Sequence, residues 1–301
     1  DHGEKGPNAV VEVHSFDFAK RAIAGGDVGF AESYMDQEWS TPDLTSVLEF
    51  FSANFEAAGQ LAVGGMMVRI SNMIRHVFNR NSKAGSKRNI EAHYDLGNKL
   101  YTRFLDDTMM YSSAIYPDAN TSLNAAQNYK LKTICDKLQL KESDHLIEIG
   151  TGWGGLAVYA AKHYGCKVTT TTISEEQHAW AQEWIAREGL SDRVTLLKKD
   201  YRLLEDKYDK LVSIEMIEAV GWEYLDTYTA TISRLLKPEG IALIQAITIE
   251  DQRYEQAKKD VDFIKRYIFP GSFIPCVTAI QKSFNGLGIL LYYEKEIKFK
   301  D

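Results

Sequence analysis

Residues 147–155 read IEIGTGWGG, with four glycines in nine positions. A backbone this bare, set between an apolar run and the segment LAVYAAKHY, lets a ligand lie directly on the main chain. Here Gly150, Gly152 and Gly154 remove the side chains. The acid just before the first glycine, Glu148, suits a cationic or hydroxyl-rich group better than a pyrophosphate. The spacing is G-x-G-x-G-G with Trp153 inside the loop, not the G-x-G-x-x-G of a dinucleotide site. A purely structural turn is the alternative reading of the same glycines. Further on, TISEEQ places Ser174 and Gln177 at a helix start, where Ser174 is equally an N-cap. Asp200 and Tyr201 close a later apolar run. An acid there can accept a hydrogen bond from an adenine amino group, and the ring can stack on the base. No acid follows the second apolar run, where an NAD ribose site has one. Together these residues fit S-adenosylmethionine better than NAD.

The elements that must position these groups follow from periodicity. HLIEIG (145–150), CKVTTTTI (166–173), VTLLKKD (194–200), KLVSIEMI (210–217) and IALIQAITI (241–249) read as strands. Helices are expected from about residue 128 (YKLKTICDKLQL), in LAVYAAKHY, in EEQHAWAQEWIAREGL, and in EYLDTYTATISRLLKPEG up to its Pro-Glu-Gly. Strand and helix alternate, which predicts βαβ units, a mostly parallel sheet and a doubly wound α/β domain. The glycine turn then falls at the carboxyl end of the first strand, where such folds bind ligands.

The first 60 or so residues read as compact and helical. FDFAKRAIAGG is a short helix stopped by its glycines, and STPDLTSVLEFFSANF opens on Ser/Thr and Pro, a helix-start pattern. Residues 61–90 hold six Lys or Arg and no Asp or Glu. Within them Met66, Ile70, Met73, Ile74 and Val77 form one apolar stripe, flanked by Arg69, Arg75, His76 and Arg80. That pattern reads as an interfacial amphipathic helix attracted to anionic headgroups, or as a linker helix packed on the core. NRNSKAGSKRN follows as a flexible basic linker. The boundary is placed near residue 85, giving a helical N-terminal domain (1–85) and an α/β domain (86–301).

Composition bounds the rest. The chain has 301 residues, 45% hydrophobic and 26% charged, with a formal net charge of −7. The acidic balance excludes nucleic-acid binding by overall electrostatics. No apolar stretch approaches the roughly 18 residues of a membrane span, and no secretory pattern opens the chain. Because it begins on Asp1, it is expected to lack its natural start. Cys135, Cys166 and Cys276 form no C-x-x-C pair, which fits structural roles in a reducing cytoplasm.

Six motifs in order carry a resemblance: HYDLGNKLYTRFLDDTMMYSSAIY (93–116), IEIGTGWGG, TTISEEQ, DYRLL (200–204), SIEMIEAVG (213–221) and KRYIFPGSFIP (265–275). From about residue 10 to 282 the chain resembles the cyclopropane fatty acid synthase family. GFAESYMDQEWSTPDL (29–44) is similar to the N-terminal helical domain of its bacterial phospholipid enzymes. The resemblance implies a Rossmann-like S-adenosylmethionine methyltransferase domain acting on the cis double bond of phospholipid acyl chains. It also implies attachment to the inner face of the membrane and a homodimer through the N-terminal domain. For the cofactor it implies Tyr111 and Ser112 at the methionine part and Glu148, Gly150, Gly152 and Trp153 in the glycine loop. Thr172, Ser174 and Gln177 fall at the ribose, and Asp200, Tyr201 and Arg202 at the adenine.

In the family the proton acceptor looks like a bicarbonate held by a Cys, a Glu, a His, a backbone group beside an Ile, and a Tyr. Glu218 and Ile247 match two of these. Ser113 stands at the Cys position and Gln245 at the His position. Both replacements can still hydrogen-bond an oxyanion, but Gln cannot take up a proton as His could. Whether bicarbonate binds is thus open. Glu218 is expected to be the anionic group near the cation and a candidate base, against the alternative of a surface acid. The product is then a cyclopropane or a methyl-branched chain. A methyltransferase acting on a soluble small molecule, and a lipid-binding relative without activity, are the rival readings. His93 reads as structural; Tyr94 and Asp95 are expected to order a cofactor lid. Tyr267 and Phe269 are candidates for the acyl pocket or for ordinary core. After AIQK (279–282) the family carries a helical lid, whereas SFNGLGILLYYEKEIKFKD follows here at once, reading as the last strand joined on directly. Either the lid is absent or residues are missing from this stretch, and the second is the expected reason.

Overall fold

The computed structural model describes residues 6–54, 81, 85 and 97–289. Most of the basic segment 61–90, including Arg69, Arg75 and Arg80, lies outside the described residues. So do His93, Tyr94, Asp95 and the C-terminal stretch 290–301. The domain boundary expected near residue 85 falls in that basic segment, of which only Asn81 and Gly85 are described. The chain divides into two compact units, Asp1–Asn79 with Lys259–Pro270, and Arg80–Lys258 with Gly271–Asp301.

The first unit is built on α1 (Asp17–Met35), the two-residue antiparallel pair β1 (Glu12–Val13) and β2 (Trp39–Ser40), and α2 (Leu44–Ala53). The glycines of FDFAKRAIAGG interrupt the helix rather than end it. Gly26 takes φ 59° and ψ −139°, and helix resumes beyond it to Met35. Trp39 anchors the return, stacked on Phe30 at 4.5 Å with its indole N–H donating to Ser33 Oγ at 3.0 Å. Arg21 closes the unit with ion pairs to Asp36 at 2.6 Å and Glu38 at 2.8 Å. Asp43, not the preceding Ser or Thr, caps α2, accepting from the backbone of Thr45 and Ser46. Tyr267 belongs to this unit: its hydroxyl donates to Glu32, which also pairs with Arg266 at 2.7 Å.

The second unit is the α/β domain. After α3 (Asn98–Tyr101) and α4 (Leu123–Lys137) come β3 (His145–Ile149), α5 (Gly155–Tyr164), β4 (Lys167–Thr172), α6 (Glu175–Arg187), β5 (Val194–Lys198), β6 (Tyr208–Ile214), α7 (Leu225–Leu235), β7 (Leu236–Gln245), α8 (Asp251–Ala257) and α9 (Val277–Ser283). The sheet order is β5-β4-β3-β6-β7, every pair parallel. The order reverses between β3 and β6, which makes the carboxyl ends of those two strands the topological switch point.

Two of the expected helices shift. α4 starts at Leu123, because the Ser122 hydroxyl caps it by accepting from Ala125 N–H at 3.3 Å. α7 stops at Leu235, and the Pro-Glu-Gly expected at its end lies inside β7. Pro238 offers no N–H for a helical bond, and the β6–β7 register shifts between Tyr208 and Lys210 to absorb the extra residues.

Alternation along the strands separates two apolar layers. Leu146, Val168 and Val212 pack with Leu131, Leu156, Ala160 and Ile185 from α4, α5 and α6. Ile147, Ile149 and Leu211 face the other way, onto Tyr228, Ile232 and Leu235 of α7 and onto Phe273 and Phe284. Each such buried side chain contributes about 1.5–3 kcal/mol, so the sheet is held on both faces and its carboxyl edge is a fixed platform. All three cysteines are free and buried, and burial pushes the Cys135 thiol up to about 12.

Candidate active site at the carboxyl edge of the sheet

The glycine turn leaves β3 with φ of 99° at Gly150, 52° at Gly152 and 101° at Gly154, all in the left-handed half of conformational space that side chains avoid. Two N–H groups, of Gly150 and Thr151, donate to Thr171 O at 3.2 and 3.1 Å and tie the turn to β4. The glycines divide the work. A Cβ at Gly155 would lie 2.3 Å from Thr108 O, so that glycine admits the neighbouring chain. A Cβ at Gly152 would meet nothing within 4 Å, so there the main chain itself forms the surface. The Trp153 side chain turns into the protein. It packs on Tyr101 at 4.7 Å, and its indole N–H donates to Asn98 Oδ1 at 2.8 Å. Tyr111 joins the same aromatic group, edge-on to Tyr101 at 5.3 Å. Ser112 Oγ receives Nζ of the buried Lys130 at 2.7 Å. Burial pulls the Lys130 ammonium down to about 8.

At the ends of β3, β4 and β5 the polar side chains satisfy one another. Glu148 is only 3% exposed and accepts from Thr170 Oγ1 at 2.5 Å, and Thr170 Oγ1 meets Thr151 Oγ1 at 2.7 Å. Burial raises its carboxyl to about 8. Thr172 Oγ1 donates to Gln177 Oε1 at 2.9 Å and accepts from Ser174 N–H at 3.1 Å. Ser174 Oγ accepts from Gln177 N–H at 3.3 Å, the N-cap of α6. Both Asp200 oxygens are held by the Arg202 guanidinium, at 2.9 and 2.5 Å. Tyr201 sits edge-on to Tyr228 at 5.8 Å, and burial raises its hydroxyl. Arg202 continues to Asn81 O at 3.1 Å, and Asn81 Nδ2 donates to Gly271 O at 2.7 Å. No motif pointed to Asn81.

The ends of β6 and β7 bring together the other four expected residues, Ser113, Glu218, Gln245 and Ile247. Glu218 Oε1 accepts from Ile247 N–H at 2.6 Å. Its Oε2 is buried with no partner in the protein. Desolvation, aided by the charge of Glu215, raises the Glu218 carboxyl to about 7, which speaks against the alternative reading of a surface acid. Gln245 Nε2 donates to Glu215 Oε1 at 2.8 Å and to Ser113 O at 3.2 Å, and Ser113 N–H donates to the same Glu215 oxygen at 2.9 Å. Glu215 is the residue that sequence reasoning missed. Its signal, an acid three residues before Glu218 on the same strand end, was present in SIEMIEAVG.

Two implied groups can be tested against these residues. The bare main chain at Gly152, the buried carboxyl of Glu148 and the aromatic wall at Tyr111 fit S-adenosylmethionine. Bicarbonate does not fit: the N–H groups of Ser113 and Ile247 and the Gln245 side-chain amide all end on other oxygens.

A five-stranded parallel sheet with this glycine turn is the Rossmann-like fold of the S-adenosylmethionine-dependent methyltransferases. The sequence profile described as mycolic acid cyclopropane synthetase matches residues 81–300. This chain belongs to that family. It is 42% identical over 279 residues to the cyclopropane-fatty-acyl-phospholipid synthase of Escherichia coli, covering 91% of this chain and 69% of that protein. It is 37% identical over 269 residues to the tuberculostearic acid methyltransferase UfaA1 of Mycobacterium tuberculosis, covering 87% of this chain and 62% of that one. The crystal structure of mycolic acid cyclopropane synthase CmaA1 complexed with SAH and CTAB superposes with a TM-score of 0.62 at 27% identity, over 67% of this chain and 74% of that one. The chain thus spans about two thirds of the length of these curated relatives.

Proposed function

We propose that this chain is an S-adenosylmethionine-dependent C-methyltransferase acting on the double bond of unsaturated phospholipid acyl chains, with a cyclopropane or a methyl-branched product. The observation that carries the reading is Glu218: a carboxylate at the carboxyl ends of β6 and β7, one oxygen fixed by Ile247 N–H and the other buried without a partner in the protein. The names of the relatives, a fatty-acyl-phospholipid synthase and a tuberculostearic acid methyltransferase, support the substrate class.

An alkene is a poor nucleophile, so the donor must be a strong electrophile. When bound, S-adenosylmethionine supplies a methyl group: the alkene π pair forms the new C–C bond, sulfur keeps the C–S pair, and a carbocation remains on the neighbouring carbon. The residues of this chain then decide its fate. Glu218 offers negative charge in a water-poor setting, where it stabilises a cation far better than in solvent. Its Oε2 takes the proton, and a carboxyl near 7 suits a base at neutral pH. A proton removed from the new methyl leaves its C–H pair to close the three-membered ring. A proton removed from the adjacent chain carbon leaves a methyl-branched alkene. Tyr111, Glu148 and the main chain at Gly152 hold the donor. Thr172, Ser174, Gln177, Asp200, Tyr201 and Arg202 shape the wall beside it.

Among the described residues no helix is long and apolar enough to cross a membrane. Peripheral attachment to the membrane is part of the proposal, and so is a homodimer through the N-terminal region. The six basic residues of 61–90 support attachment, at about 1 kcal/mol each near an anionic surface. The deciding experiment offers methyl-labelled donor with vesicles of a cis-monounsaturated phospholipid and identifies the labelled acyl chain by mass spectrometry. Label in a ring or a branch is expected. Label only in a soluble compound, or none at all, overturns the reading in favour of a small-molecule enzyme or a lipid-binding relative. Sedimentation with anionic vesicles should weaken when Arg69, Arg75 and Arg80 become Glu; unchanged sedimentation removes the membrane role of that segment.

A further inference from the structure

Glu215 follows β6 directly and holds φ 46°, a left-handed conformation that L residues other than Asn and Asp rarely adopt. The strand end is pinned there by its own N–H, which donates to Gln245 O at 2.8 Å. The side chain explains why the conformation is kept. Its Oε1 receives two converging donors, Ser113 N–H at 2.9 Å and Gln245 Nε2 at 2.8 Å. The second hydrogen of that amide goes to Ser113 O at 3.2 Å, so Gln245 has no side-chain donor left and presents only its carbonyl oxygen. Behind this group Lys130, with no exposed surface, reaches Ser112 Oγ at 2.7 Å. A buried ammonium needs a compensating anion nearby, and Glu215 and Asp106 are the acids whose charge acts on it.

Resting on the reading of this edge as a lipid methyltransferase centre, we propose that Glu215 is the resident anion of the site. The carboxylate of the chain itself takes the donors that a free oxyanion would need. It acts as a positioning residue: it locks the Gln245 amide and the Ser113 turn, and its charge makes Glu218 a stronger proton acceptor. A carbonate-type anion is then neither needed nor admitted.

The test has a binding arm and a kinetic arm, both on the full chain. In the first, [13C]bicarbonate is titrated onto the protein loaded with S-adenosylhomocysteine and followed by 13C line broadening. Wild type should show no saturable binding. Glu215→Gly, which relaxes the backbone and vacates the donors, should bind it in the millimolar range. Saturable binding by wild type, or none by Glu215→Gly while its S-adenosylhomocysteine affinity is intact, overturns the proposal. In the second arm Glu215→Gln keeps an acceptor for both donors but removes the charge. Its kcat should fall about 100-fold with KM unchanged. Glu215→Gly should regain about tenfold with added formate, and wild type should be indifferent to removal of dissolved CO2. A Glu215→Gln enzyme with the kcat of wild type, or a wild type that stalls without CO2, overturns it. A wild type that methylates no lipid defeats the reading of the site, and the binding arm still decides on Glu215.

Discussion

The two halves of the sheet's carboxyl edge are built on opposite principles. At β3, β4 and β5 the polar groups close on each other: Thr151, Thr170 and Glu148 in one chain, Thr172, Ser174 and Gln177 in another, Asp200 with Arg202 in a third. At β6 and β7 a buried carboxylate oxygen has no partner, and a glutamate is held at positive φ. The first half is a finished surface that a ligand can settle on without rearrangement. The second half keeps destabilising features that persist only because the surrounding structure over-determines them, the usual mark of a reacting centre. A protein selected only for stability would have removed both.

The strongest way to break this contrast is Glu218→Gln. Methyl transfer should fall by about 10²–10⁴, the range for loss of a general base. Stability should move the other way with pH. The native Glu218 carboxyl keeps its proton to about 7, whereas the unfolded chain releases it near 4.5. Its favourable contribution is therefore present below 4.5 and lost as pH rises from 4.5 to 7. Between pH 4 and pH 8 the stability of Glu218→Gln relative to wild type should improve by about 3 kcal/mol, since each pKa unit is about 1.4 kcal/mol. Urea midpoints at the two pH values measure it. A difference that does not change with pH means that Glu218 is not buried as a charge, and the contrast fails.

Gly155→Ala and Gly152→Ala sharpen the other side. The Cβ at Gly155 would press on Thr108 O at 2.3 Å, which should lower stability by about 1–3 kcal/mol as an overpacked site does. At Gly152 the space is open and only the backbone objects, by about 1–2 kcal/mol for a left-handed alanine. Its larger effect should fall on the donor: calorimetry with S-adenosylhomocysteine should show weaker binding by Gly152→Ala than by Gly155→Ala at matched stability. Equal affinities would mean that the main chain at Gly152 is not the ligand surface.

The sequence made the sheet legible because its strands are apolar runs set between amphipathic helices, and the glycine turn marks where the main chain is left bare at the end of the first strand. Helix ends were less legible. Ser122 and Asp43 are single capping residues whose role depends on a hydroxyl or carboxylate meeting an N–H two or three positions on, and α7 ended early because Pro238 outweighed the periodicity. In the site, motifs located Glu218, Gln245 and Ile247, but not what each one faces. That Trp153 turns inward follows from its contact with Tyr101, which lies 52 residues earlier in the chain. Glu215 escaped because its role requires β6 and β7 to end side by side, which no local pattern states.

The smallest expected effect is also the most discriminating for the cofactor half. Ser174 caps α6 through Gln177 N–H, and its own N–H holds Thr172 Oγ1. Removing the hydroxyl leaves one buried N–H unpaired, worth about 1 kcal/mol, and leaves the Thr172–Gln177 hydrogen bond in place. Ser174→Ala should therefore lower the urea midpoint modestly and leave kcat within about twofold, with any change confined to KM for the donor. A kcat loss comparable to that of Glu218→Gln would mean that this end of β4 takes part in the chemistry. The division of the edge into a settled half and a reacting half would then have to be redrawn around the turn between β4 and α6.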